Sequence, residues 1–139
     1  AVLLHATSAA NKLWPEADWI ELGTVLAARG LVCVLPWGTP AERERSVSLA
    51  ARIPRAMVPE RLGIGALAPL LARARIVVGT DTGLAHLAGA LGAPTIGVYC
   101  ATDPAATGLY ACRQARNLGG PGAAPAAKEV IAAALGWLA

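Results

Sequence analysis

The chain has 139 residues, enough for one compact domain that buries a core without disulfides. Hydrophobic residues make up 55% and charged residues 15%, yet no stretch approaches the roughly 18 to 20 uninterrupted apolar residues of a membrane span. The formal net charge of +3 is small, and its arginines are scattered, so the charge reads as solvated helix faces rather than a nucleic-acid surface; attraction to an anionic membrane is the alternative.

The N-terminal AVLLHATS is too short and too uncharged for a signal peptide. It reads as a buried strand, Val2-Leu3-Leu4, and the protein is expected to continue upstream. A helix is predicted from about Pro15, with Glu16 and Asp18 at its positive end. Trp19, Leu22 and Leu26 form its apolar stripe, and Gly30 can stop it. A strand over 31–35 follows. The second helix opens on the capping box Thr39-Pro40-Ala41-Glu42. Ala56-Met57-Val58 is the next strand. A third helix is predicted over 64–73, with Pro69 kinking it or delaying its start. The strand Ile76-Val77-Val78, a helix over 83–91 and a strand over 95–99 complete the alternation. An irregular segment, with 118–122 as its clearest loop, leads to a last helix over 126–138. The apolar runs are continuous rather than alternating, as strands buried on both faces require. The predicted fold is therefore α/β, a parallel sheet of five or six strands with helices on both faces.

The three cysteines, Cys33, Cys100 and Cys112, contain no CxxC pair. Only His5 and His86 could join them, so no metal site is expected, and a reducing cytoplasm is the simplest setting. The first βα turn, Thr7-Ser8-Ala9-Ala10-Asn11-Lys12, lacks the glycines of a dinucleotide-binding GxGxxG.

Ligands of open α/β sheets bind beyond the carboxyl ends of the strands. There Thr7, Ser8 and Lys12 follow the first strand, the second ends in Pro36-Trp37-Gly38-Thr39, and Gly79-Thr80-Asp81-Thr82-Gly83 leads into the helix that carries His86. Thr82 and Gly83 place free amides at a helix start, a natural anion site. Asp81 could accept from sugar hydroxyls, or Asp81 or Thr82 could simply cap the helix. Lys12 suits a diphosphate and His86 could donate to one, but either could equally be a solvated surface residue.

The segments KLWPEADW (12–19), LPWGTPAERER (35–45) and GTDTGLAHLAGALGAPTIGVY (79–99) resemble the C-terminal domain of the lipopolysaccharide heptosyltransferases. The LPWG turn and TDTGLAH are more similar to the type I than to the type II enzymes. The resemblance covers nearly the whole chain, most securely 4–110. It implies a GT-B glycosyltransferase of two Rossmann-like domains, with residues 1–139 as the donor-binding half. The acceptor half and its carboxylate base would lie outside this chain, and this half alone would be inactive. The implied reaction is inverting transfer of heptose from ADP-heptose to the Kdo region of lipid A. It would run in the cytoplasm without a bound cofactor, metal or nucleic acid, and peripheral contact with the inner membrane is left open. Carried over by position, Thr7, Ser8 and Lys12 would meet the donor phosphates. Glu42 would meet the adenosine ribose and Leu62 the adenine. Asp81 would hold the heptose hydroxyls, and Thr82, Gly83, Leu84 and His86 the diphosphate. The chain departs from the family at Cys100 and Cys112, where glycine is usual, and at Gly63, Gly65 and Pro69, which weaken the third helix. Other readings are another GT-B nucleotide-sugar enzyme, such as a UDP-sugar transferase or an epimerase, and a nucleotide-binding module without transfer chemistry. No physical property of the sequence selects adenine over uracil.

Overall fold

The computed structural model describes residues 1–110 and 112–139. Six strands, β1 (Val2–Leu4), β2 (Cys33–Val34), β3 (Ala56–Met57), β4 (Val77–Thr80), β5 (Thr95–Tyr99) and β6 (Ala115–Gly119), pair in parallel in the order β3-β2-β1-β4-β5-β6. Helices α1 (Glu16–Ala28), α2 (Pro40–Ala50), α3 (Ile64–Ala72), α4 (Gly83–Ala90), α5 (Pro104–Thr107) and α6 (Ala127–Leu138) fill the connections and the C-terminus.

Successive strand residues point to opposite faces, and here both faces are covered. Leu3, Val78, Ile96 and Val98 pack with Trp19, Leu22 and Leu26 of α1, Leu49 of α2, and Val130 and Ala134 of α6. Val2, Leu4 and Val77 pack on the other side with Leu71 of α3 and Ala85 and Ala88 of α4. This is why the central strands lack a polar alternate position. The stripe predicted for α1 is buried, and Gly30, at φ 84°, takes the left-handed turn that ends the helix region. The capping box of α2 is formed: the Glu42 amide donates to Thr39 Oγ1 at 3.2 Å, and the Thr39 amide donates to Glu42 Oε2 at 3.2 Å.

Two expectations are corrected. Pro69 does not delay α3, which starts at Ile64 and buries Leu67 and Leu71. The proline removes the partner of the Gly65 carbonyl, but Gly65 is exposed, so water can serve it. The segment after β5 is more regular than expected. It contains α5 and the edge strand β6, which runs in register with β5 from Thr95 opposite Ala115 to Tyr99 opposite Gly119. The sequence of β6, ARNLG, lacks a continuous apolar run because an edge strand is only half covered. Leu118 and Gly119 therefore close a strand, and the loop begins after them.

Beyond β1 lies His5, fully buried, with Nε2 2.6 Å from Ser46 Oγ on α2. Burial, helped by the charge of Arg45 and opposed by Glu16, lowers its pKa from 6.5 to about 4. The imidazole is therefore neutral in the fold, while the unfolded chain protonates near the ordinary value. Stability from this group is complete above pH about 6.5 and is lost as pH falls toward about 4, by about 3 kcal/mol in all. Urea unfolding across this range should show that decline, and His5→Gln should flatten it. An unchanged slope in the variant would contradict a buried neutral His5.

Candidate functional site

The chain leaves β1 toward β2 and β3 on one side, then returns to the other side of β1 as β4. Neighbouring connections diverge at this point and leave a crevice beyond the carboxyl ends of β1 and β4. The buried Thr80 hydroxyl fastens the two strand ends, 3.4 Å from both the Leu4 and Ala6 carbonyls. Gly79 lets α4 lie close behind them, since a Cβ there would sit 3.1 Å from Leu4 Cβ and 3.2 Å from Ala85 Cβ.

Asp81 is the centre of the crevice. Its Oδ2 accepts from Thr102 Oγ1 at 2.7 Å and from Lys12 Nζ at 3.3 Å, and Thr107 Oγ1 stands at 3.5 Å. His86 Nε2 lies 3.8 Å from Oδ1. Partial burial pushes the Asp81 carboxyl up. The hydrogen bonds from Thr102 and Lys12 and the fields of Lys12 and His86 outweigh it and leave the pKa below the ordinary carboxylate value. Asp81 is thus ionised at neutral pH and held by donors. It is not the helix cap. Thr82 is, accepting from the Ala85 amide at 3.4 Å. The first-turn amides of Gly83 and Leu84 have no intrahelical carbonyl to reach, so they give the start of α4 a partial positive charge. A Cβ at Gly83 would meet no protein atom within 4 Å, so packing within the chain does not require glycine there.

Beside this cluster is a pocket of about 170 Å³ formed in part by Glu42, Leu62, Thr82 and Leu84, all candidates from the sequence. Trp37, Arg61 and Leu67 also line it. The rim is fixed by Trp37 Nε1 donating to the Pro59 carbonyl at 2.8 Å and Arg61 Nε donating to that of Gly38 at 3.0 Å. Glu42 Oε2 is occupied by the Gly38 and Thr39 amides. Any ligand contact of Glu42 therefore falls to Oε1.

The structure brings Lys12, Asp81 and His86 into one cluster and Glu42, Leu62, Thr82 and Leu84 into the adjoining pocket. Thr7 lines a neighbouring cleft that shares Ala6 and Glu42 with that pocket, and Ser8 is exposed on the same loop. Sequence reasoning left Thr102 unassigned, named Thr80 and Trp37 at strand ends without giving either a role, and did not place Thr107 or Arg61 in the site. The available signal for Thr102 was its place just past β5, whose carboxyl end adjoins that of β4. A larger cavity, about 460 Å³, lies at the opposite, amino-terminal edge of the sheet among Val2, Val34, Pro69, Arg73 and Arg75. It takes in Val34, the last residue of β2, but no helix start, so it lacks the convergence of strand ends and helix amides found at the crevice. Among the described residues no cluster of His, Cys, Asp and Glu could hold a metal ion.

Fold and site together define a Rossmann-like domain with a polar crevice at the switch point of its sheet. The chain belongs to glycosyltransferase family 9, the heptosyltransferases, which it matches over residues 1–133. It is 48% identical over 109 residues to lipopolysaccharide heptosyltransferase 1 of Pseudomonas aeruginosa, a match covering 78% of this chain and 31% of that protein. Among solved structures it resembles the E. coli heptosyltransferase WaaC with ADP, at 40% identity and a TM-score of 0.86, over 93% of this chain and 41% of that one. The same enzyme with ADP-2-deoxy-2-fluoro heptose matches at 37% identity and a TM-score of 0.79, over 99% of this chain and 41% of that one. The chain thus spans about a third of the length of the curated relatives it matches.

The division of labour at the start of α4 can be tested. Thr82→Ala should lower the unfolding free energy by about 1 kcal/mol in urea titrations, and Thr82→Ser should keep most of it. A serine variant as unstable as the alanine variant would contradict the capping role.

Proposed function

We propose that this chain is the donor-binding half of a heptosyltransferase that moves heptose from ADP-heptose to the Kdo region of lipid A in inner-core lipopolysaccharide synthesis. The observation that carries this reading is the meeting of Lys12 and Asp81 at the open end of α4. Lys12 and the Gly83 and Leu84 amides suit a diphosphate, and the Asp81 carboxylate suits the hydroxyls of the attached sugar. Glu42 and Leu62 in the adjoining pocket suit ribose and base. Thr7 and Ser8 would meet phosphate from the β1 side, and His86 would donate to it from α4. The relatives solved with ADP and with an ADP-heptose analogue support this assignment.

In an inverting transfer the acceptor hydroxyl attacks the anomeric carbon as the bond to the ADP oxygen breaks. Negative charge then grows on the diphosphate, where Lys12 and the two amides would offset it. Asp81 is a poor general base, since its pKa is depressed and Oδ2 already accepts from Thr102 and Lys12. The base and the acceptor site would come from outside these 139 residues. The reaction would take place in the cytoplasm, with peripheral contact at the inner membrane.

Calorimetry with ADP, ADP-heptose and UDP tests the assignment. ADP-heptose should bind best and UDP worst, and equal or tighter binding of UDP would remove the adenosine reading. Lys12→Ala should weaken ADP and ADP-heptose alike, by about tenfold or more. Asp81→Ala should weaken ADP-heptose while ADP binds as well or better, because Lys12 loses its competing carboxylate. The chain alone should show no transfer, and turnover by it would mean that the base lies within it.

A further inference from the structure

We infer that Thr102 is a positioning residue for the donor sugar, holding the Asp81 carboxylate so that Oδ1 alone is presented to it. The inference rests on the donor reading above. Thr102 Oγ1 makes the shortest of the contacts to Asp81, 2.7 Å to Oδ2. Lys12 at 3.3 Å and Thr107 Oγ1 at 3.5 Å take the same oxygen, so Oδ1, which has only His86 Nε2 at 3.8 Å, beyond hydrogen-bond distance, is the oxygen available to a ligand.

The two closest donors differ in what a ligand does to them. A diphosphate competes with Asp81 for the mobile charge of Lys12. Thr102 is neutral, so a phosphate offers it no comparable pull. It therefore remains on Oδ2 when Lys12 turns to the ligand, and it becomes the residue that keeps the carboxylate in place. Hydrogen bonds brace the loop that carries it. Asp103 caps α5 by accepting from the Ala105 amide at 2.9 Å, and Pro104 occupies the first helical position. Tyr110 donates its hydroxyl to the Pro104 carbonyl at 2.7 Å, and Tyr99 donates to that of Thr107 at 3.4 Å.

The test is calorimetry on the full-length protein with ADP and with ADP-heptose, alongside the melting temperature. Thr102→Val should reduce the preference for ADP-heptose over ADP by about tenfold and leave ADP affinity unchanged. Thr102→Ser should restore the preference. Thr102→Ala is measured beside the valine variant, so that failure of one to fold leaves the other to decide. An unchanged preference in the valine and alanine variants would overturn the inference if Asp81→Ala still abolishes it. Equal weakening of both ligands, or no rescue by serine, would overturn it too and reduce Thr102 to scaffold. A wild-type protein that binds ADP-heptose no better than ADP would instead overturn the donor reading, and this inference with it.

Discussion

Everything at the site depends on the parallel pairing of β1 with β4. Three register pairs, Val2 with Val77, Leu3 with Val78 and Leu4 with Gly79, align the strand ends, and the Thr80 hydroxyl ties the last turn of β1 to β4. This pairing brings Lys12 and Asp81 together although 69 positions separate them. It also sets the start of α4 beside the loop after β1, so that helix amides and a lysine converge on one space. The apolar side chains on both faces of the sheet supply the free energy for this arrangement, and the polar residues lie beyond the strand ends where they need not be buried unpaired.

The electrostatics of the crevice are balanced before any ligand arrives. The carboxylate of Asp81 is compensated by Lys12 and Thr102, and His86 stands near its other oxygen. An isolated carboxylate beside a diphosphate site would repel the ligand. Paired with Lys12, it instead keeps the lysine in the crevice and is itself kept ionised. Binding of the proposed diphosphate would then exchange one partner of Lys12 for another and would not require a bare charge to be desolvated. The long contact of this partly buried pair, 3.3 Å, suits such an exchange, because a short, fully buried pair would compete too well with the ligand.

Much of this was legible in the sequence, and the gaps have physical causes. Central strands announce themselves by continuous apolar runs, so β1, β4 and β5 could be placed. The edge strand β6 could not, because half its residues are polar or exposed. The capping box of α2 and the Asp-Thr-Gly entry to α4 are local signals and could be read directly. Which of Asp81 and Thr82 caps α4 is not a local matter. Asp81 is drawn away by Lys12 and Thr102, which come from two other strand ends. Resemblance assigned Lys12 to phosphate, and only the folded chain shows its carboxylate partner. Thr102 stayed without a role for the same reason, since its role depends on the adjacency of β4 and β5. Pro69 was overweighted, because local helix propensity yielded to the burial of Leu67 and Leu71.

The central claim is that the crevice between β1 and β4 receives the donor diphosphate. Amide chemical-shift mapping of the 15N-labelled full-length protein during titration with ADP addresses it most directly. The largest shifts should fall on Lys12, Gly83 and Leu84, with smaller ones at Glu42 and Leu62. Shifts concentrated instead around Val34, Leu70, Arg73 and Arg75, at the amino-terminal edge of the sheet, would place the ligand in the other cavity and contradict the account.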